Sequence, residues 1–313
     1  MSSTPADLNK VTSRGRLHEY YELCKPRVVM LIVFTAIVGM FLAVPHLPPL
    51  AALLWGTLGI GLQAASAAAI NQIIDRNVDR RMARTCGRPL VTGALSMIES
   101  IAFATVLGLI GFGVLWFLVN PLSAVLTQLT LVGYAGIYTL YLKRATPQNI
   151  VIGGAAGAAP PLLGWVAVTG ELHAHALILF LIIFIWTPPH FWALAIERRE
   201  EYAKADIPML PVTHGIEFTK TQVLLYTILL VVVTVLPFAT GMSGWLYLLG
   251  AMLLGGQFMN YAIRMKWWPK PGLPMRTFGY SIIYLMAIFS LLLIDHYLGA
   301  VVEAWLLETP APS

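Results

Sequence analysis

Nine apolar runs of roughly 20 residues recur along the chain, near 28–45, 51–70, 99–119, 121–142, 150–169, 176–196, 221–240, 243–263 and 278–299. Nothing else in the sequence limits the fold as strongly. A helix needs about 20 apolar residues to cross a bilayer core about 30 Å thick. Inside that core no water is available to satisfy the backbone, so each N–H and C=O must be paired within its own element or barrel. Continuous runs of this length predict an all-α integral membrane protein with nine transmembrane helices. Charged residues make up 11% of the chain, against about 25% in soluble globular domains. That excludes a soluble enzyme, a disordered chain and a nucleic-acid binder. The net charge of +5 concerns orientation, because its carriers lie between the apolar runs.

Assigning each Lys and Arg to a side fixes that orientation. Lys10, Arg14, Arg16, Lys25 and Arg27 precede the first span. Arg76, Arg80, Arg81, Arg84 and Arg88 follow the second, and Lys143 and Arg144 follow the fourth. Arg198, Arg199, Lys204 and Lys220 follow the sixth; Arg264, Lys266, Lys270 and Arg276 follow the eighth. With nine spans all 20 basic residues fall on one face. The positive-inside rule makes that face cytoplasmic, with the N-terminus inside and the C-terminus outside. The expected organisation is a cytoplasmic segment 1–27, a nine-helix domain 28–299 and an external tail 300–313. No signal-peptide cleavage pattern follows the polar N-terminus, and Asp7, Glu19 and Glu22 argue against a transit peptide. A bacterial plasma membrane is the expected home. Cys24 and Cys86 have no metal-ligand spacing and read as free thiols.

Neither solubility nor orientation calls for the polar pattern that follows span 2. Asn71, Asp75 and Asp79 are spaced i, i+4, i+8, so a helix continuing past the membrane surface puts them on one face. Like charges at i, i+4 destabilise a bare helix by a few tenths of a kcal/mol, which a divalent cation between them would reverse. Their oxygens are hard donors suited to Mg²⁺, which commonly takes one or two carboxylates plus substrate phosphates. A solvated helix end, charge-balanced by Arg76 and Arg80, is the plainer reading of this patch alone. A second patch after span 6 sets Glu197 and Glu201 at i, i+4, with Asp206 beyond. Two acidic patches on one face, with Arg76, Arg84, Arg88, Lys143, Arg144 and Lys204 nearby, are the parts of a diphosphate site. The expected metal set is Asn71, Asp75, Asp79, Glu197 and Glu201, with Glu201 preferred over Glu197 in the second patch.

Longer strings carry a family resemblance. NxxxDxxxD after span 2 and an acidic segment after span 6 resemble the UbiA-type intramembrane prenyltransferases. Within that family, RTxxRPLVTG (Arg84 to Gly93), LKRATPQNIVIGGAAGAAPPLLGW (Leu142 to Trp165), TPPHFWALAI (Thr187 to Ile196) and YAKADIPMLPV (Tyr202 to Val212) look like the protoheme IX farnesyltransferase branch. Tyr284-Leu285 and Asp295-His296 fit it too, so the resemblance runs from about Glu19 to His296.

The resemblance implies farnesyl transfer from farnesyl diphosphate to a vinyl group of heme b, giving heme O and diphosphate. Mg²⁺ on Asn71, Asp75 and Asp79 would hold the diphosphate, with Glu201 joining the catalytic set. The lipid bilayer is an expected partner, and a downstream heme-modifying enzyme or a terminal oxidase is the candidate protein partner. Where the family pairs Asp residues in its second motif, this chain offers Glu197, Glu201 and Asp206. Two other readings compete: a UbiA-type enzyme prenylating an aromatic quinone precursor, and a heme carrier without catalysis. Carrier function is disfavoured by the absence of a sequence repeat and by acidic clusters lying at one surface rather than at mid-depth.

Among seven histidines, His190 beside Pro188-Pro189 and His296 beside Asp295 are the heme candidates, since an ionisable group inside the membrane marks function by default. Asp295–His296 reads equally well as an interfacial anchor. Pro160-Pro161 and Pro188-Pro189 break the hydrogen bonding of spans 5 and 6 and should kink both. The Gly153–Ala159 run is expected to allow close helix packing, with a polyprenyl seat as the other use, and Trp267-Trp268 reads as an interfacial belt.

Overall fold

The computed structural model describes residues 15–308. Lys10, Arg14 and residues 309–313 of the expected tail lie outside the described residues. The regular structure of the described residues is helical: α1 (Arg16–Leu23), α2 (Pro26–Leu42), α3 (Leu50–Asp79), α4 (Met97–Leu118), α5 (Pro121–Val132), α6 (Asn149–Ala158), α7 (Pro160–Thr169), α8 (Ala174–Glu197), α9 (Arg199–Lys204), α10 (Gly215–Val233), α11 (Trp245–Trp267) and α12 (Leu273–Glu308). Among the described residues eight helical segments are long and apolar enough to cross a membrane. α2, at 17 residues, is shorter, and it meets α1 at a 52° bend. If that bent pair makes one span the number is nine.

Each span packs on the next in the chain, and α12 returns against α2 to close the ring. Further contacts cross it, among them α2 on α7 and α8 on α12. Small residues permit the first. A Cβ on Gly39 would lie 2.0 Å from the Pro161 carbonyl oxygen, and one on Gly164 would lie 2.0 Å from that of Ala36. In lipid no hydrophobic drive separates helix from solvent, so such backbone approach is a main source of helix affinity. Polar ties add to it: Gln63 Nε2 donates to the Gly108 carbonyl (3.1 Å) and to Gln128 Oε1 (3.0 Å), and Ser66 Oγ donates to the Ala104 carbonyl (2.7 Å).

Three expectations are refined. Span 5 does break at its prolines: α6 stops at Ala158 and Pro160 opens α7. In span 6 the prolines do not end the helix: α8 continues through Pro188 and Pro189, with the Thr187 hydroxyl donating to the Ile183 carbonyl at 2.8 Å. α12 extends beyond the 299 boundary. Between α5 and α6 the chain is wound as a π-helix over Gly133–Leu142, a rare conformation that clusters at functional sites. Cys24 and Cys86 are free.

Candidate active site

The last two turns of α3 carry Asn71, Asp75 and Asp79 on one face, and all three are buried, Asp75 to 1% exposure. Polar groups buried this deeply must be paired, and the pairing defines the site. Asn71 Nδ2 donates to Asp75 Oδ2 (3.0 Å) and to Thr139 Oγ1 (3.2 Å). Thr139 reaches it from the π-helix, where its own hydroxyl donates five residues back to the Tyr134 carbonyl (2.8 Å). Lys143 Nζ donates to Asp75 Oδ2 at 2.6 Å, and its carbonyl accepts from Asn149 Nδ2 at 3.2 Å. Arg88 forms an ion pair with Asp79. Lys25 Nζ donates to Asn71 Oδ1. Two acceptors of this network are left over: Asp75 Oδ1 and Asn149 Oδ1 are buried with no hydrogen-bond partner.

In the sequence Lys25 stands out only as one of the positive-inside charges. It sits at the α1–α2 bend, ahead of the first span, with φ 51°. A left-handed backbone on a non-glycine residue is uncommon and gathers at functional positions; here it turns the ammonium back over α3. Gln72 fixes the bend by donating to the carbonyls of Glu22 and Leu23, both at 3.0 Å. Burial, reinforced by Arg88 and Lys143, pulls the Lys25 ammonium down to about 7, while Asp75 and Asp79 oppose the shift. Only its place before Pro26 hinted at a turn. Thr139 and Asn149 were likewise missed as individuals, because a π-helix leaves no periodic signature and an Asn that orients a backbone looks like any other.

The second acidic segment meets the first across a small apolar cluster of Met82, Ile150, Tyr202, Ile207 and Met209. Arg81 binds Asp206 at 3.0 Å, and Asp206 shares the left-handed backbone (φ 55°). Glu201 pairs with Arg198 (2.8 Å), and its Oε2 is buried without a partner. Burial pushes the Tyr202 phenol up, against the pull of Arg84 and Arg198 on its charge, so Arg84 faces this segment. Arg76 turns away, donating to the Leu90 carbonyl at 3.2 Å. Glu197, Arg144 and Lys204 are exposed. No closed cage of three or more His, Cys, Asp or Glu exists among the described residues. The donors are instead two carboxylates and an amide on one helix, the open set that Mg²⁺ completes with phosphate oxygens.

An apolar groove of about 400 Å³ opens beside this cluster between the π-helix and α6–α7, lined by Leu129, Ile137, Tyr138, Gly153, Ala156 and Phe180. Gly153 packs on the Tyr138 ring, where a Cβ would come within 2.1 Å, so the small-residue run both packs closely and lines the groove. His190 lies between the rings of Trp186 (4.1 Å) and Phe278 (4.6 Å). At the opposite end of the bundle His296 Nε2 donates to the Val44 carbonyl (3.0 Å). There Asp295 accepts from the backbone N–H of Gly244 and of Tyr247 at the start of α11, the work of an anchor.

A membrane-embedded helical ring with a buried acid–base cluster at one end and an apolar groove beside it is the framework of a prenyl-transferring enzyme. The UbiA prenyltransferase family model matches residues 32–292. The protoheme IX farnesyltransferase of Nitrosococcus oceani is 63% identical over 288 residues, covering 91% of this chain and 96% of the relative. That of Methylococcus capsulatus is 61% identical over 279 residues, 89% of this chain and 94% of the relative. Among solved structures, a digeranylgeranylglyceryl phosphate synthase superposes with a TM-score of 0.76 at 19% identity, covering 90% of this chain and 99% of that one. A UbiA homolog from Archaeoglobus fulgidus bound to DMAPP and Mg²⁺ does so with 0.60 at 16% identity, covering 88% and 99%. The chain belongs to the UbiA prenyltransferase family and is a multi-pass membrane prenyltransferase.

Proposed function

We propose that this prenyltransferase moves a farnesyl group from farnesyl diphosphate to a vinyl group of heme b, yielding heme O and diphosphate. The observation that carries the diphosphate half is the buried cluster on α3, in which Asp75 keeps one carboxylate oxygen free while Lys143, Arg88 and Lys25 stand around it. The acceptor half is supported by relatives 57–63% identical named protoheme IX farnesyltransferase.

Lys25, Arg88 and Lys143 bind the diphosphate oxygens, exchanging carboxylate and amide partners for phosphate ones. Arg84, on the loop after α3 and facing the second segment, serves the same anion. Arg76, Arg144 and Lys204 contribute field rather than contact. Asn71, Asp75 and Asp79 would hold Mg²⁺, joined by Glu201 through its free oxygen and less by Glu197; the ion supplies charge neutralisation to the departing diphosphate. The farnesyl tail lies in the groove beside Tyr138, where the apolar lining keeps water from the allylic carbon. As the C–O bond breaks, the vinyl π electrons form the new C–C bond. Water then adds to the resulting carbon cation and releases a proton, completing the hydroxyethylfarnesyl group. His190 is the residue proposed to meet the heme, whereas His296 serves as an outer anchor.

Residues 28–299 form the membrane-spanning part of the transferase, with Lys25 reaching its site from the cytoplasmic segment 1–27 and the tail 300–313 on the outer side. It works in a bacterial inner membrane with its site on the cytoplasmic face and hands heme O to a downstream heme-modifying enzyme or oxidase. Purified protein is given labelled farnesyl diphosphate with heme b and an aromatic quinone precursor in one tube. Label in the heme fraction supports the proposal. Label in the aromatic fraction alone overturns it in favour of a quinone-type enzyme.

A further inference from the structure

We propose that Ser281 fixes His190 in one tautomer, so that His190 Nε2 presents a lone pair to the heme iron; this rests on heme b being the acceptor. Ser281 is fully buried on α12, with three short contacts at one residue. Its hydroxyl donates to the Phe278 carbonyl at 2.6 Å, its own carbonyl accepts from the Trp186 indole N–H at 2.8 Å, and its Oγ lies 2.6 Å from His190 Nδ1.

A serine hydroxyl has one proton. If that proton pointed to the imidazole, Oγ and the Phe278 carbonyl oxygen would face each other lone pair to lone pair at 2.6 Å. The proton therefore sits toward the carbonyl, and Oγ accepts from Nδ1–H. In a neutral imidazole with Nδ1 protonated, Nε2 is the acceptor.

The rest of the ring is held too. Trp186 stacks on one face at 4.1 Å and 18°, and Phe278 on the other at 4.6 Å and 26°. Phe278 is also the residue whose carbonyl holds the Ser281 proton, and Trp186 is tied to the Ser281 carbonyl, so the clamp closes on itself across α8 and α12. With both faces and the Nδ1 edge covered, the half-buried ring has the Nε2 edge left, which makes no hydrogen bond among the described residues and is not one of the fully buried unpartnered atoms. A histidine that only joins two helices would be served by the Nδ1 contact alone. A lone pair cannot receive a propionate, which is also an acceptor; it suits a Lewis acid, and a histidine nitrogen is a common axial ligand of heme iron. An outer partner that sets the tautomer of such a ligand is worth about 10–100-fold in affinity.

The test is heme b titration of the full-length protein in detergent, read by Soret absorption and by electron paramagnetic resonance of the ferric state, without farnesyl diphosphate. Wild type should show histidine ligation. His190→Ala should lose it and regain it on adding imidazole. Ser281→Ala should weaken heme about 10–100-fold with a changed ligation spectrum, and Ser281→Thr, which keeps the hydroxyl, should stay within threefold of wild type. A Ser281→Ala protein with lower thermal stability but an unchanged spectrum and affinity overturns the proposal, as does histidine ligation surviving in His190→Ala. Wild type that binds no heme overturns the acceptor assignment along with it.

Discussion

Replacing Asp75 by Asn separates the catalytic use of this carboxylate from its structural use. Oδ2 accepts from Lys143 at 2.6 Å and from Asn71 at 3.0 Å, while Oδ1 has no partner. An Asn must keep its carbonyl where Oδ2 was, because an NH₂ there would face the Lys143 ammonium. Its NH₂ then takes the place of Oδ1 as a buried donor without an acceptor, at a cost of about 1–3 kcal/mol. Removing one partner of a buried ion pair costs about 3–5 kcal/mol, but the Lys143 side chain is 16% exposed and recovers part of this from water. Together the two terms set an upper bound of about 4–8 kcal/mol, lowered by that recovery and read as a lower thermal midpoint in detergent. Farnesyl transfer should fall about 10²–10³-fold, as when a preorganised group that stabilises developing charge is lost. Adding Lys143→Met removes the stranded cation, so the double variant should regain stability and none of the rate. A double variant that recovered turnover along with stability would refute the reasoning and reduce Asp75 to a packing residue.

Three other outcomes follow from the same geometry. Lys25→Met removes a charge-assisted contact worth about 1.5–3 kcal/mol, so KM for farnesyl diphosphate should rise about 10–100-fold while the thermal midpoint does not fall; an unchanged KM contradicts the placement of Lys25 in the site. Gly164→Ala must part α2 from α7, because its Cβ would meet the Ala36 carbonyl oxygen at 2.0 Å. Overpacking of this kind costs about 1–3 kcal/mol, and Gly113→Ala, with nothing within 4 Å, is the silent control in the same melt. Gly153→Ala pushes on the Tyr138 ring and should raise KM for farnesyl diphosphate more than for heme b, as measured by steady-state kinetics with each substrate varied.

What the sequence made legible is what repeats or carries charge at a fixed spacing. The apolar runs and the one-sided basic residues outlined the helical bundle, and i, i+4, i+8 placed Asn71, Asp75 and Asp79 on one buried face. Arg88 and Lys143 were in view as partners because only a few cations lie near that face. Lys25 was not, since a left-handed backbone turn decides where its side chain goes and no residue pattern encodes it. Thr139 depends on a π-helical winding that a 3.6-residue period hides. The uninterrupted α8 shows the limit in the other direction: two prolines signal a break, but neighbours in a bundle can satisfy the freed carbonyls. Ser281 was invisible for a simpler reason, as a lone serine in an apolar helix takes its meaning from the ring across the interface.

The central claim is that this protein attaches farnesyl to heme, and mass analysis of extracted hemes tests it most directly. Purified protein is incubated with heme b, farnesyl diphosphate and Mg²⁺ in ¹⁸O-labelled water. The expected product is a new heme heavier by a farnesyl group and one ¹⁸O-labelled hydroxyl, lost when Mg²⁺ is chelated and reduced about 10²–10³-fold with Asp75→Asn. Heme recovered unchanged, under conditions where one of the relatives forms product, would contradict it.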